Sequence, residues 1–381
     1  MSIITNVSNN ELNVISEQIF NRIALVEKSN NLLLNYYEED KDYNINHKPR
    51  NNSLIDPITV NYIHFITNYI KILHFEYKNI TFNVNIYTKN YENISNYIYL
   101  IKLAIVCCLY DKKGFNEKVS LKIDLYLTEL KKEIPEVPGA LIKKEHAKSG
   151  YALFGDSIYI CVYRREEWFK TLIQELFVAF TLDLVGEKIN YKNILSNNFA
   201  IDDNFLINHS IVEFCARCFN AAIFLYFEKK CKELLLFKKE FKRMMNKEKN
   251  FAVSQTHKIL THFGLKYADL LKTEPKHEIE QSIAWEMYRD ESDLFCYFLI
   301  TSLLFIHQTR FIQWINFEHN DFFRIKKSER ELVILTHYIA QCSKDPKTLK
   351  IFEMKEKKHN QELDISTNSV SKNIKCSYHR I

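Results

Sequence analysis

One stretch constrains this chain more than any other. Residues 157 to 163, Ser-Ile-Tyr-Ile-Cys-Val-Tyr, form a β-branched and aromatic run of the kind that is buried as a strand. Arg164 and Arg165 end it. Glu166 and Glu167 then open a helix, placing acid at the positive end of the helix dipole. Trp168, Phe169, Leu172, Ile173, Leu176, Phe177, Phe180 and Leu184 fall on one broad apolar face. Gly186 is a natural stop. A strand and a helix this apolar, joined by two arginines, belong at the centre of a fold.

The pattern on either side differs. Helical spacing of Leu12, Ile15, Ile19, Phe20 and Ile23 predicts a helix over 11–36, followed by a polar, Asn-rich loop over 38–54. Residues 58–76 read as helix, with strand left open by their β-branched and aromatic content. Residues 80–88 and 119–128 alternate apolar and polar, as half-buried strands do, and 94–110 suits a buried helix. From 210 onward helices are expected at 210–227, 229–247, 253–264, 278–288, 291–307 and 329–342. Beyond about 353 the chain turns polar and lysine-rich, and disorder is expected. The reading is therefore α+β: a small mixed sheet in the N-terminal half, packed on a central helix, and a mostly helical C-terminal half. The units are 1–56 (helix and loop), 57–190 (α/β, with the central helix at 166–185), 191–350 (helical) and 351–381 (a disordered tail).

Composition excludes several classes. Hydrophobic residues make up 46% of 381 and charged residues 26%, the values of a globular chain. Gly and Pro number only 6 each, too few for a loop-rich or multi-linker protein. The formal charge of +5 is short of a strongly basic nucleic-acid binder. Nine cysteines, an odd number scattered through apolar runs, read as reduced buried thiols in a cytoplasmic setting rather than a disulfide scaffold. The apolar runs Ile98 to Tyr110 and Leu294 to Ile306 are shorter than the roughly 20 residues of a spanning helix, so no membrane role is expected.

The segment from Tyr163 through Gln174-Glu175-Leu176-Phe177-Val178 to Leu182-Asp183-Leu184 resembles a group of proteins from large DNA (giant) viruses. In that group the matching helix carries His-Glu-x-x-His followed closely by Leu-Asp, and the group in turn resembles zincin-type metalloproteases. The close resemblance covers about 35 residues and, more loosely, the helix near Glu213. Histidines four apart share a helix face and can grip one zinc ion. The intervening Glu serves as general base for the metal-bound water, and a third ligand comes from a later helix. Laid on that pattern, Gln174 and Val178 stand where the histidines would be. Glu175 keeps the place of the base, and Glu213 stands for the third ligand. Glu213 also has a plainer reading as the last member of a Ser210-x-x-Glu213 capping box. The resemblance thus implies a zincin-like fold with a degenerate metal site: a pseudoenzyme, with zinc expected to be absent and Glu175 vestigial.

Other readings remain open at this point. A rewired metallohydrolase would have to draw on Glu175, Asp183, His209 and Glu213. Cys215 and Cys218 form a Cys-x-x-Cys that reads as two buried thiols. His257 and His262 are five apart and splay on a helix, and His277 to Gln281 begins like a metal motif but ends in Gln. The lysine-rich run 229–249, with Lys238, Lys239, Lys242 and Arg243 at its centre, is a possible nucleic-acid surface and more often a solvated helix face. The expected partner is a protein or peptide, bound with the strand near 157–163 or a neighbour as template. The expected setting is the host-cell cytoplasm or a virion.

Overall fold

The computed structural model describes residues 11–29, 37–42, 54–90, 92–112, 118–184, 191–272, 283–316 and 321–365, single positions at 32 and 49, and parts of 373–378. Gly186 and the stretch from His277 to Gln281 lie outside the described residues.

The chain begins with α1 (Glu11–Lys28), then β1 (Tyr37–Asp42), α2 (Pro57–Ile66), β2 (Tyr69–Tyr77), β3 (Ile80–Thr88), α3 (Ser95–Leu109) and β4 (Val119–Tyr126). A short α4 (Lys144–Ala147) leads into the hairpin of β5 (Gly150–Leu153) and β6 (Ile158–Val162). One 3-10 turn, Arg165–Glu167, starts the central helix α5 (Trp168–Phe180), which runs into β7 (Leu182–Leu184). The second half holds α6 (Tyr191–Leu195), α7 (Ile207–Ile223), α8 (Leu234–His262), α9 (Ile283–Met287), α10 (Thr301–Ile306), α11 (Gln308–Asn316), β8 (Ile325–Lys327), α12 (Glu329–Ser343) and α13 (Pro346–Ile365). The protein is α+β, with a small mixed sheet first and helices after.

The sheet runs β1-β2-β3-β4-β6-β5. Its central pairs, β3 with β4 and β4 with β6, are parallel. The flanking pairs are antiparallel, which leaves β5 as an edge beside the central helix. Alternation along each strand decides what each face buries. Phe82, Val84, Leu121, Ile123, Leu125, Ile160 and Val162 enter the main core with α1, α3 and α5. That core continues without a break into α7, α8 and α10. The opposite face carries Tyr87, Tyr126, Tyr159 and Tyr163 under Ile63 of α2. Asp124 is buried at its centre, accepting from Asn85 Nδ2 at 2.6 Å and the Tyr159 hydroxyl at 2.8 Å, with the Lys122 ammonium at 3.1 Å.

Several expectations are corrected. Residues 58–76 divide: Asp56 caps α2 through the Thr59 amide, Pro57 takes the first turn, and the chain then extends into β2. The central helix stops at Phe180 instead of running on to 185. Leu182–Leu184 leaves it to pair in parallel with Ile325–Lys327, a partner too distant in sequence for local periodicity to reveal. Part of the expected loop at 38–54 is strand β1. The helices expected at 229–247 and 253–264 are one, α8, because nothing between them breaks a helix. The tail is not disordered through 353–365, where it is helix α13. The helix is anchored by Phe352, whose ring lies parallel to Tyr267 at 4.1 Å. Farther on, Ser377 donates to the buried Glu248 carboxylate at 2.9 Å. Among the described residues one unbroken helix, Ile207–Glu228, is long and apolar enough to cross a membrane, and most of it is packed inside the protein. The eight described cysteines are buried free thiols.

Candidate functional site

α5 is amphipathic in an unusual sense: its less apolar stripe also faces inward. Lys170, Gln174 and Val178 follow one another at four-residue intervals, so they line one side of the helix. That side looks onto α7 and the segment 292–298. It forms a wall of a cleft of about 410 Å³ whose other walls are β5 and the turn before it.

The Lys170 ammonium sits at the centre. It donates to Glu213 Oε2 at 2.9 Å and to Gln174 Oε1 at 3.2 Å. Glu213 comes from α7 and is wholly buried, as Lys170 nearly is. Gln174 turns its amide nitrogen toward the Tyr297 hydroxyl, donating at 3.3 Å. The ring of Tyr297 stacks on His209 with centroids 4.9 Å apart. His209 Nδ1 lies 3.8 Å from Asp293 Oδ2, which also takes the Lys148 ammonium at 3.3 Å. Burial lowers the His209 pKa, against the pull of Asp293.

Glu175 differs from all of these. It is only 8% exposed, it lines the cleft, and no hydrogen bond joins it to another described residue. Burial pushes its carboxyl up to about 7, against the attraction of Lys170 and Lys148, while the nearby Glu213 adds to the rise. The group is thus close to half protonated near neutral pH.

The structure brings Gln174 and Glu213 together on one lysine. Val178 lies on the same helix face, 38% exposed, and has no donor to offer. Glu213 is not a capping residue. Ser210 lies inside α7 and donates to the Cys296 carbonyl at 2.7 Å. A zinc ion does not fit this set: Gln174 is engaged at both ends, and Glu213 is held by an ammonium. Of the residues a rewired site would draw on, Asp183 belongs to β7, past the end of α5, and among the described residues no group of three or more His, Cys, Asp or Glu is placed to hold a metal. On α8, Lys238 pairs with Glu17 at 2.5 Å and Arg243 with Glu240 at 3.4 Å, while Lys239 and Lys242 are exposed.

Lys170, Lys148, Tyr297 and β5 escape a reading of the sequence. The one available signal was a lysine inside an otherwise apolar helix, four residues before Gln174. The edge strand on this side of the sheet is β5; β6, the run that stands out in the sequence, is enclosed between β4 and β5. Tyr163 donates its amide to the Ser149 carbonyl at 2.9 Å, which sets the register. Tyr151 and Leu153 therefore pair inward, and Gly150 and Ala152 turn their N–H and C=O groups outward to the cleft side. Gly150 is required by close packing. A Cβ there would stand 2.6 Å from the Cys161 carbonyl oxygen and 2.8 Å from Thr171 Cγ2 of α5. Arg164 fixes the approach to β5 by donating to the carbonyls of Glu145 and Lys148. Compared with models of protein families, with curated proteins and with solved structures, the chain finds no match in any of the three.

Proposed function

We propose that this chain is a binding protein on a zincin-like scaffold, a pseudo-metalloprotease that takes an extended peptide along β5 and performs no metal chemistry. One observation carries the reading: the Lys170 ammonium, bonded to both Gln174 and Glu213, stands among the positions that the resemblance assigns to metal ligands. A fixed internal cation does the electrostatic work of an ion for Glu213 and leaves no place for one. The rest of the cleft supports recognition. It lies beside an antiparallel edge strand that presents free backbone groups at Gly150 and Ala152, the geometry of β-augmentation. The same resemblance makes the protein a virion or infection-associated one, acting in the host-cell cytoplasm or in the particle.

The test is a fluorescence binding assay with capped, strand-forming peptides, on the wild type and on Ala152→Pro. Proline at an edge position removes one outward N–H and leaves the β5–β6 ladder intact. The reading expects binding by the wild type and its loss in the variant. It fails if peptides bind equally to both, or to neither. It fails as well if Ala152→Pro instead dissociates a dimer, which would put a second copy of the chain on the edge.

A further inference from the structure

We infer that the cleft holds a site for an alkylammonium group, the side chain of a lysine in the bound peptide, with Glu175 as its counter-ion. The inference rests on the peptide-binding reading and adds the chemistry of the occupant.

Buried polar groups are almost always hydrogen-bonded, and a carboxyl left without a partner marks a place where something else completes the set. Around the cleft the acids are already matched. Glu213 has Lys170, and Asp293 has Lys148 with His209 nearby. Lys132, at the far end, is matched to Glu167 at 2.8 Å. Among the acids, Glu175 alone is more than nine-tenths buried, lines the cavity and bonds to no described residue. The neighbouring pairs cancel, so ionised Glu175 leaves the cleft with one negative charge in excess.

The walls fit the rest of such a group. Val178 and Phe154 are exposed to the cleft side, apolar surface of the kind that covers a methylene stem. The stacked rings of Tyr297 and His209 line the cleft as well, and an aromatic face attracts a cation. From β5 the geometry follows. A peptide paired with Gly150 and Ala152 sends alternate side chains to the α5 side of the strand, and one of them reaches Glu175. An anionic side chain there would meet Glu175 and Glu213, and a short apolar one would leave the carboxyl buried and unmatched.

The deciding experiment compares two capped pentapeptides, Val-Thr-Lys-Thr-Val and the same peptide with Nε-acetyl-lysine, on the wild type and on Glu175→Gln. Acetylation removes the charge and keeps the stem. The wild type is expected to bind the free lysine peptide about tenfold or more tightly than the acetylated one, as a buried charge pair requires. Glu175→Gln is expected to abolish that preference. The same capped peptide with norleucine for lysine removes the side-chain amine altogether, and is expected to bind as weakly as the Nε-acetyl form. Equal affinity of the wild type for the lysine and acetyl-lysine peptides overturns the ammonium site and leaves the edge-strand reading standing. Binding of no peptide by the wild type overturns the edge-strand reading, and the ammonium site with it.

Discussion

Lys170 and Glu213 meet 2.9 Å apart, from two different helices, with almost no solvent on either side chain. An ion pair in such a place is costly to form and costlier to break, because removing one partner strands the other charge in a low-dielectric interior. Lys170→Met is therefore expected to destabilise the protein by about 3–5 kcal/mol. Adding Glu213→Gln to Lys170→Met should recover most of the loss, since the stranded charge is gone. Urea denaturation of the two single variants and the double one checks this. Simple additivity of the two single effects would show that the pair does not act as a unit.

The same pair bears on zinc. Gln174→His with Val178→His restores the two-histidine spacing, yet Glu213 stays bound to Lys170 and faces the turn before Val178. The double variant is expected to take up zinc weakly. The triple variant, with Lys170→Ala added, frees Glu213 as a third ligand and should bind zinc more tightly by about an order of magnitude or more. Calorimetric titration reads the difference, and equal affinities would mean that Lys170 does not control the site.

How much of this could be read in advance depends on where the controlling partner lies. Helix α5 was legible because its apolar residues recur at helical spacing. The strands β3, β4 and β6 were legible because β-branched residues alternate or run together within a few positions. The end of α5 was not, because Leu182–Leu184 becomes strand only by pairing with Ile325–Lys327. Gln174, Glu175 and Glu213 were picked out by their likeness to a motif. The likeness said nothing of Lys170, whose role needs a carboxylate 43 residues away. Glu248 is a similar case: its partner Arg217 at 2.6 Å and the amide of Tyr378 at 3.1 Å come from remote parts of the chain. A polar, lysine-rich tail looks solvated when the groups it docks on are invisible.

That docking gives a third prediction. Ser377 donates to Glu248 Oε1 inside a buried cluster, where Arg217 already holds the other oxygen. Ser377→Ala should cost about 1.5–3 kcal/mol, the worth of one hydrogen bond to a charged group, while the Tyr378 amide still serves the same oxygen. Thermal or urea unfolding measures it, and a neutral substitution would show that the tail is not part of the folded unit.

Gly150 carries the fourth. A methyl group there collides with the Cys161 backbone and with Thr171 of α5. Gly150→Ala is therefore expected to cost about 1–3 kcal/mol, and Thr171→Ser should relieve part of it by removing the nearer side-chain atom. Unfolding curves of the single and double variants test the coupling.

The pH dependence follows from one buried group and one half-buried group, of opposite sign. The Glu175 carboxyl is raised from the usual 4.5 to about 7, so between those values the folded state holds a proton that the unfolded chain has released. Its contribution is full below about 4.5 and is lost as pH rises through about 7, with a ceiling of roughly 3 kcal/mol. His307 is the reverse. Burial lowers its pKa from 6.5 to about 4, so its contribution is present above 6.5 and is lost as pH falls through about 4. With stability measured from about pH 4 to about pH 8, Glu175→Gln should remove a fall between about 4.5 and 7, and His307→Gln should remove a rise between about 4 and 6.5. Unchanged slopes in either variant would contradict the assignment.

The central claim is that an ammonium group, fixed by Gln174 and Glu213, occupies ground where a metalloprotease would keep its metal. The most direct check is the metal content of the purified wild-type protein after growth in zinc-supplemented medium and exhaustive dialysis, measured by mass spectrometry. The account predicts only trace zinc. Stoichiometric zinc, lost on Glu213→Gln, would contradict it.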